Sequence, residues 1–221
     1  MSAHIDHLAV AALSLDEGVA WAERVLGVTP PGGGAHPRMG THNRLLRLGD
    51  GCYLEIIAVD PAAAPPYRPR WFALDNPEMH GRLASGPQLV TWIARTDAIE
   101  MAAARSPIPL GRIEAMSRGD LEWRITIPAD GSLPEGGTMP TVIQWPDDRS
   151  HPSSCMPDLG CRLLSLDLGH PHPHRLDAAI DAIGLDRSNG LVSVSGSPDG
   201  PWLRARLETP SGVVTLGKAT A

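Results

Sequence analysis

From His4 to Ala12 the chain is apolar with a short polar interruption, the pattern of a buried strand. Ser14 and Glu17, three residues apart, then form a capping-box pair. Leu15, Val19, Ala22 and Leu26 recur at steps of three and four, which predicts a helix over 15–26 stopped by Gly27. Thr29 to Gly40, with PPGGG and HPRMG, reads as a loop with room for one short strand. His42–Leu48 and Cys52–Val59 flank Gly49-Asp50-Gly51 and read as a hairpin.

After a proline-rich stretch, Pro61 to Pro69, and the segment Trp71 to Gly86, the same order returns. Leu89–Arg95 reads as a strand, and Asp97 with Glu100 as the cap of a helix running through Ala104. Arg112–Met116 and Leu121–Ile127 read as paired strands, closed by Thr141–Trp145. A third copy is expected from Arg162–Leu168, a helix His174–Ile183 ended by Gly184, and strands near Leu191–Val194, Trp202–Glu208 and Val213–Leu216. The predicted class is therefore α+β, built from repeated βαβββ modules. Two of them (about 4–60 and 86–146) fill residues 1–150, and a partial third over 151–221 packs on them or on another subunit. An odd module leaves a face or strand edge to cover, so a homodimer is expected.

The 221 residues carry 19 Lys+Arg against 25 Asp+Glu, a net charge of −6, with 42% apolar content, so a sizeable core can form. Arginines are scattered singly, which argues against nucleic acid. No apolar run is long enough for a membrane helix and no basic leader opens the chain, so a cytoplasmic location is expected. Cys52, Cys155 and Cys161 have no CxxC spacing and read as reduced thiols. Lysine occurs only at Lys218, leaving no interior Schiff-base lysine. GxSxG and GxGxxG are absent, which disfavours a covalent serine hydrolase and a nucleotide cofactor. Gly32–Gly34 lacks a phosphate-loop context and reads as a flexible lid or linker, and GHPHPH around His170, His172 and His174 as a surface loop.

Two polar residues interrupt apolar rows. His7 shares its predicted strand face with Ile5 and Ala9, and Glu55 shares its face with Tyr53 and Ile57. A carboxylate in YLEIIA needs a partner, because an unpaired buried charge costs several kcal/mol. An imidazole, a metal ion or an arginine such as Arg44 or Arg47 would serve.

The runs IDHLAVAALSLDEGVAWAERVLGV, HPRMGTHNRLLRLGDGCYLEIIAVDP and RPRWFALD, with a weaker likeness through HPSS at His151, resemble the glyoxalase-like branch of the vicinal oxygen chelate superfamily. HLAV, GTHN and YLEII carry that resemblance. It implies an open β-cup of two βαβββ modules, the vicinal oxygen chelate fold, holding a divalent metal through side chains of first and last strands. His7 and Glu55 fall on the ligand positions of the first module. Those of the second fall on Gln144 and near Thr91, neither a strong ligand, with His151, His42 or His36 as further donors. Mn, Fe, Ni, Zn or Mg would suit such a site. Asn43, His36 and Thr41 are expected to orient the substrate, with Asn43 and His42 on opposite strand faces.

Three functions fit these residues. One is a metal-dependent lyase, isomerase or dioxygenase acting on a small oxygen-rich molecule, with His7 and Glu55 as catalytic ligands. Another is a metal-free ligand-sequestering protein of the bleomycin-resistance type, with Trp71, Trp92, Trp123 and Trp145 as stacking walls. Between them lies a metal-free acid–base enzyme in which Glu55 abstracts a proton beside His7.

Overall fold

Ser14 accepts the Glu17 backbone N–H at 3.2 Å, and Gly27 ends the first helix at φ +70, so α1 (Leu15–Leu26) starts and stops at its sequence signals. In the computed structural model, which describes residues 2–119, 121–147 and 151–218, α1 follows strand β1 (Ala3–Ala11). It is followed by β2 (Ala35–His36), β3 (Thr41–Arg47) and β4 (Tyr53–Val59). A short helix α2 (Pro77–Leu83), with Asn76 as N-cap and Pro77 in its first turn, leads into the second half. That half is β5 (Gln88–Thr96), α3 (Ile99–Arg105), β6 (Arg112–Arg118), β7 (Leu121–Ile127) and β8 (Thr141–Gln144).

These strands form one eight-stranded sheet in the order β2-β3-β4-β1-β5-β8-β7-β6. In each half the last strand returns parallel to the first: Ala9 lies opposite Glu55, and Ile93 opposite Thr141. β1 and β5 join the halves antiparallel. The sheet curls until Arg118, at the end of β6, reaches Asn43 on β3 at 3.1 Å. This is the cup of the vicinal oxygen chelate fold. Its outer face buries Leu8, Val10, Leu54, Ile56 and Trp92 under α1, α3 and the C-terminal elements, and its inner face buries Ala9, Ile57, Ile93, Ile125 and Ile143.

The third segment comprises β9 (Arg162–His170), α4 (Pro173–Ala182), β10 (Val192–Gly196), β11 (Trp202–Thr209) and β12 (Gly212–Gly217). It repeats the βαβββ order of elements but not the sheet: the strands run β10-β9-β11-β12, so the second strand, not the last, lies parallel to the first. The segment makes no second cup. It is tied to the first by Ala3 N–H to Gly184 O, Asp186 N–H to Ala3 O and Leu163 N–H to Leu48 O. His170 ends β9, buried and bonded to Glu135, instead of lying in a surface loop.

Two local expectations change. The Asp97–Glu100 cap does not form; Gln144 Oε1 accepts the Ile99 N–H instead, at 3.1 Å. In β1 a bulge sits at Asp6, because Ile5 and His7 face consecutive residues, Ala94 and Ile93. Ile5 therefore packs with the outer core while His7 faces the cup, so the two do not share a face.

Candidate active site

The bulge sets the site. Asp6, fully buried, turns its carboxylate to two histidines and a tryptophan. Oδ1 meets His7 Nδ1 at 2.6 Å, and Oδ2 accepts from His151 Nε2 at 2.9 Å and from Trp145 Nε1 at 2.8 Å. His7 Nε2 points to Glu55 Oε2 at 3.6 Å, an ion pair longer than a hydrogen bond. The His7 ring stacks on Tyr53 with centroids 4.4 Å apart. Glu55 Oε1 accepts from Asn43 Nδ2 at 2.6 Å.

The orientation of Asn43 is fixed from its other end, where Oδ1 accepts from Gly34 N at 2.9 Å and from Arg118 at 3.1 Å. Its amide N–H group thus faces Glu55, and His36 Nε2 at 3.4 Å, while His36 Nδ1 lies 3.0 Å from Thr41 Oγ1. The triple glycine is part of this construction. A Cβ on Gly33 would lie 1.9 Å from the Asn43 carbonyl, and one on Gly34 would lie 2.8 Å from Arg118 Cδ. Gly33 and Gly34 let chain and arginine approach Asn43 and do not serve as a flexible linker.

The electrostatics follow from these contacts. Burial alone would lower the His7 pKa, but the bonds to Asp6 and Glu55 outweigh it and raise it to about 9. Burial would raise the Glu55 pKa, yet His7 and Asn43 pull it down to about 2. Asp6 is held well below the usual carboxylate range by His151 and His7 despite its burial. Among the described residues His36 has no carboxylate within ion-pair distance, and burial lowers it to about 4. At neutral pH the site is an imidazolium between two carboxylates, beside a neutral imidazole.

His7, Glu55, His36, Tyr53, Arg118 and the aromatics Trp71, Phe72, Trp123 and Trp145 line a narrow cavity of about 20 Å³, space for one water. Trp71 and Phe72 close it, and Phe72 and Ala73 hold φ of 58° and 56°. The Trp71 indole N–H is buried and unpartnered among the described residues. Trp92 does not line the cup; it lies in the outer core and donates to Thr138 O at 2.9 Å.

The structure thus brings His7, Glu55, Asn43, His36, Thr41 and Trp145 together, and adds His151 through Asp6. It does not bring Gln144, whose amide is bonded at the start of α3 and to Arg124 at 2.8 Å. The inward residue of β8 is Ile143, one position earlier. Thr91 donates to Gly137 O at 3.2 Å, and His42 lies on the opposite face from Asn43, 4.0 Å from Asp60. Arg44 bonds the Asn43 carbonyl and Arg47 pairs with Asp50, so neither neutralises Glu55. Tyr53 lies on the face of Glu55 as expected and stacks on His7, whereas Asp6 and Arg118 join the site without a place among the residues the sequence singles out. The acid preceding His7 in IDHL was a visible sign for Asp6, whereas Arg118 lies 75 residues from its partner.

A divalent ion fits this donor set poorly. The bonds to Asp6 and Asn43 leave His7 Nε2 and Glu55 Oε2 as donors facing the cavity, two where a catalytic ion usually takes three or more, and a guanidinium stands beside Asn43. Among the described residues, no cluster of three His, Cys, Asp or Glu side chains is arranged to hold an ion. The three cysteines are free thiols. No helix among the described residues is long and apolar enough to cross a membrane.

Inner-strand polar residues set in a cup of two βαβββ units define a glyoxalase-like protein, and the sequence model of the glyoxalase-like domain family matches residues 5–184. The chain belongs to that family. A hypothetical protein from Staphylococcus aureus shares the fold over 98% of this chain and 85% of its own, at 13% identity and a TM-score of 0.58. A variant of methylmalonyl-CoA epimerase from Streptomyces coelicolor, in complex with 2-nitronate-propionyl-CoA, aligns with 66% of this chain and 96% of its own, at 19% identity and a TM-score of 0.42. The epimerase from Mycobacterium tuberculosis aligns with 64% of this chain and 85% of its own, at 15% identity and a TM-score of 0.40. No curated protein matches the chain.

Proposed function

We propose that the protein is a glyoxalase-like enzyme that moves a proton on the carbon beside a carbonyl of a small oxygen-rich substrate, using Glu55 as base and His7 as acid and no metal. The observation that carries this reading is the ion pair of His7 with Glu55 at 3.6 Å, facing the cavity, with His7 held from behind by Asp6 at 2.6 Å. At rest Glu55 is a weak base because the His7 imidazolium stabilises its charge. A substrate carbonyl that takes the His7 Nε2–H removes that partner, and burial then raises the basicity of Glu55. Glu55 accepts the C–H proton, the electron pair passes to the carbonyl oxygen, and His7 protonates it to give an enol. With a 2-hydroxy carbonyl substrate, Glu55 returns its proton to the former carbonyl carbon while the neighbouring hydroxyl gives its proton to the now neutral His7, which completes an isomerisation and restores both groups. Asn43 and Thr41 act as positioning residues, through Glu55 and His36.

The test is solvent deuterium incorporation, followed by proton NMR, into a panel of small 2-hydroxy and 2-oxo compounds. Glu55→Gln should lower the rate by about 10²–10⁴-fold. Exchange that survives this change in folded protein overturns the reading. Metal analysis of protein purified without chelators and reloaded with Mn, Fe, Ni, Zn and Mg should show no stoichiometric ion lost in a His7→Ala/Glu55→Gln variant. A ligand-sequestering role is the second reading, favoured by the five Trp, Tyr and Phe side chains lining the cavity; it predicts tight binding without exchange. The same proposal takes a small-molecule partner and no nucleic acid, a cytoplasmic setting, residues 1–150 as the catalytic domain with 151–221 packed on it, and a homodimer, which sedimentation would test.

A further inference from the structure

Outside the cup, on the other side of Arg118, a second cleft of about 390 Å³ is lined by Pro31, Gly32, Leu45, Leu121, Pro152 and Met156. Its size is that of a small-molecule pocket, whereas the cup holds little more than a water. Its wall is largely apolar, and Arg118 belongs to the lining of both spaces. The arginine is placed there by construction: Gly34 leaves room for its stem, and Asn43 Oδ1 takes its N–H at 3.1 Å. Among the described residues no carboxylate pairs with Arg118, whose guanidinium donates to the neutral amide oxygen of Asn43 and keeps its charge uncompensated.

We infer that this protein binds an anionic amphiphile, a monocarboxylate whose head is held at Arg118 and whose apolar tail of medium length lies in the Pro31–Leu45–Leu121–Met156 cleft. This site goes beyond the proposed acid–base site and shares only Arg118 with it. A guanidinium supplies donors and no acceptor, which selects a carboxylate over an alcohol or an amine. The apolar cleft beside it selects length over a two- or three-carbon acid.

The experiment reads binding without turnover. Cys155, exposed on the rim of the cleft, reports occupancy through its rate of reaction with a disulfide reagent, since Cys161 is buried and burial pushes the Cys52 thiol up to about 12. Decanoate, decan-1-ol and butyrate are titrated calorimetrically against the full chain and against Cys155 labelling. The expected result is that decanoate binds at least tenfold more tightly than butyrate or decanol and slows Cys155 labelling at least fivefold. Arg118→Gln should remove the preference for decanoate over decanol, and Leu121→Glu the preference for decanoate over butyrate. Equal affinity for decanoate and decanol, equal affinity for decanoate and butyrate, or undiminished labelling of Cys155 overturns the inference, and these comparisons need only the unaltered protein. Glu55→Gln separates the two readings: decanoate binding retained with exchange unaffected sinks the acid–base site alone, and exchange lost on Glu55→Gln with no chain-length preference sinks the cleft alone.

Discussion

In the first half of the cup the inward positions of β1, β3 and β4 hold His7, Asn43 and Glu55, whereas those of β5, β7 and β8 in the second half hold Ile93, Ile125 and Ile143. The strand order is the same in both halves, so backbone geometry does not account for the difference. A symmetric chelate needs donors from both halves. Here the first half gathers the carboxylates and imidazoles, while the second adds one cation at the rim, Arg118, and otherwise apolar walls that lower the dielectric around them. In such a setting the His7–Glu55 attraction is stronger than in water, and an unpaired member would be costly. The contrast favours proton chemistry over cation binding, and it can be attacked from either half.

The largest effect should come from Asp6. Asp6→Ala leaves His7, His151 and the Trp145 N–H without their acceptor, and a loss of about 3–5 kcal/mol is expected from urea unfolding. The conservative change Ile93→Val on the facing strand should cost only about 1 kcal/mol. Equal losses would erase the asymmetry between the halves.

Next in size is the pH dependence between pH 4 and 9, for which the strongly shifted groups His7 and His36 both lie in the first half. His7 is raised from 6.5 to about 9, so its contribution is full below pH 6.5 and is lost as pH rises through 9. His36 is lowered from 6.5 to about 4, so its contribution is present above pH 6.5 and is lost as pH falls through 4, with Glu55 following from 4.5 toward about 2. Stability should therefore peak near pH 6.5 and fall on both sides, each histidine limb on the order of 3 kcal/mol. His7→Gln should flatten the alkaline limb and His36→Gln the limb between pH 6.5 and 4, as read from urea midpoints. A profile flat from pH 4 to 9 would mean that the cluster is not closed in solution.

Strand and helix positions were largely legible, because alternation, capping pairs and turn glycines are local properties of the chain. Ser14, Glu17 and Gly27 behave as their types require. Gln144 misled because β8 presents Ile143 to the cup, and a one-residue register difference exchanges the faces of a strand. Ile5 misled because the bulge at Asp6 interrupts the alternation that a pattern assumes. The third segment misled at the level of topology, since order along the chain does not dictate which strands pair. His7, Glu55 and Asn43 stood out as polar residues in apolar strands. Arg118 did not, since an arginine near a turn is ordinary until the fold brings it to Asn43.

The triple glycine gives a graded test of how Arg118 is admitted to the first half. Gly33→Ala meets the Asn43 carbonyl and should cost about 2–3 kcal/mol. Gly34→Ala meets only the stem of Arg118, which can shift, so about 1 kcal/mol is expected. Gly32 has nothing within 4 Å of its added Cβ, and Gly32→Ala should stay within about 0.5 kcal/mol. Three equal values would restore the reading of a flexible linker.

The smallest effect concerns the segment that closes the cup over both halves. Ala73 sits at φ 56°, a conformation that costs an L-residue roughly 1 kcal/mol and a glycine little. Its N–H is bonded to Gly131 O at 2.8 Å and Leu74 N–H to Trp71 O at 3.2 Å, so the strained turn is held by the loop after β7 and by its own fold-back. Ala73→Gly removes the strain and loses one methyl, at the expense of greater freedom in the unfolded chain. A net gain of about 0.5 kcal/mol is expected in thermal unfolding. The same change should slow opening of the Trp71–Phe72 cover, since less strain is released on leaving the turn. Amide exchange at Ala73 and Leu74 would read this directly. Faster exchange together with lower stability would mean that the turn is held by the alanine methyl and not merely tolerated by it.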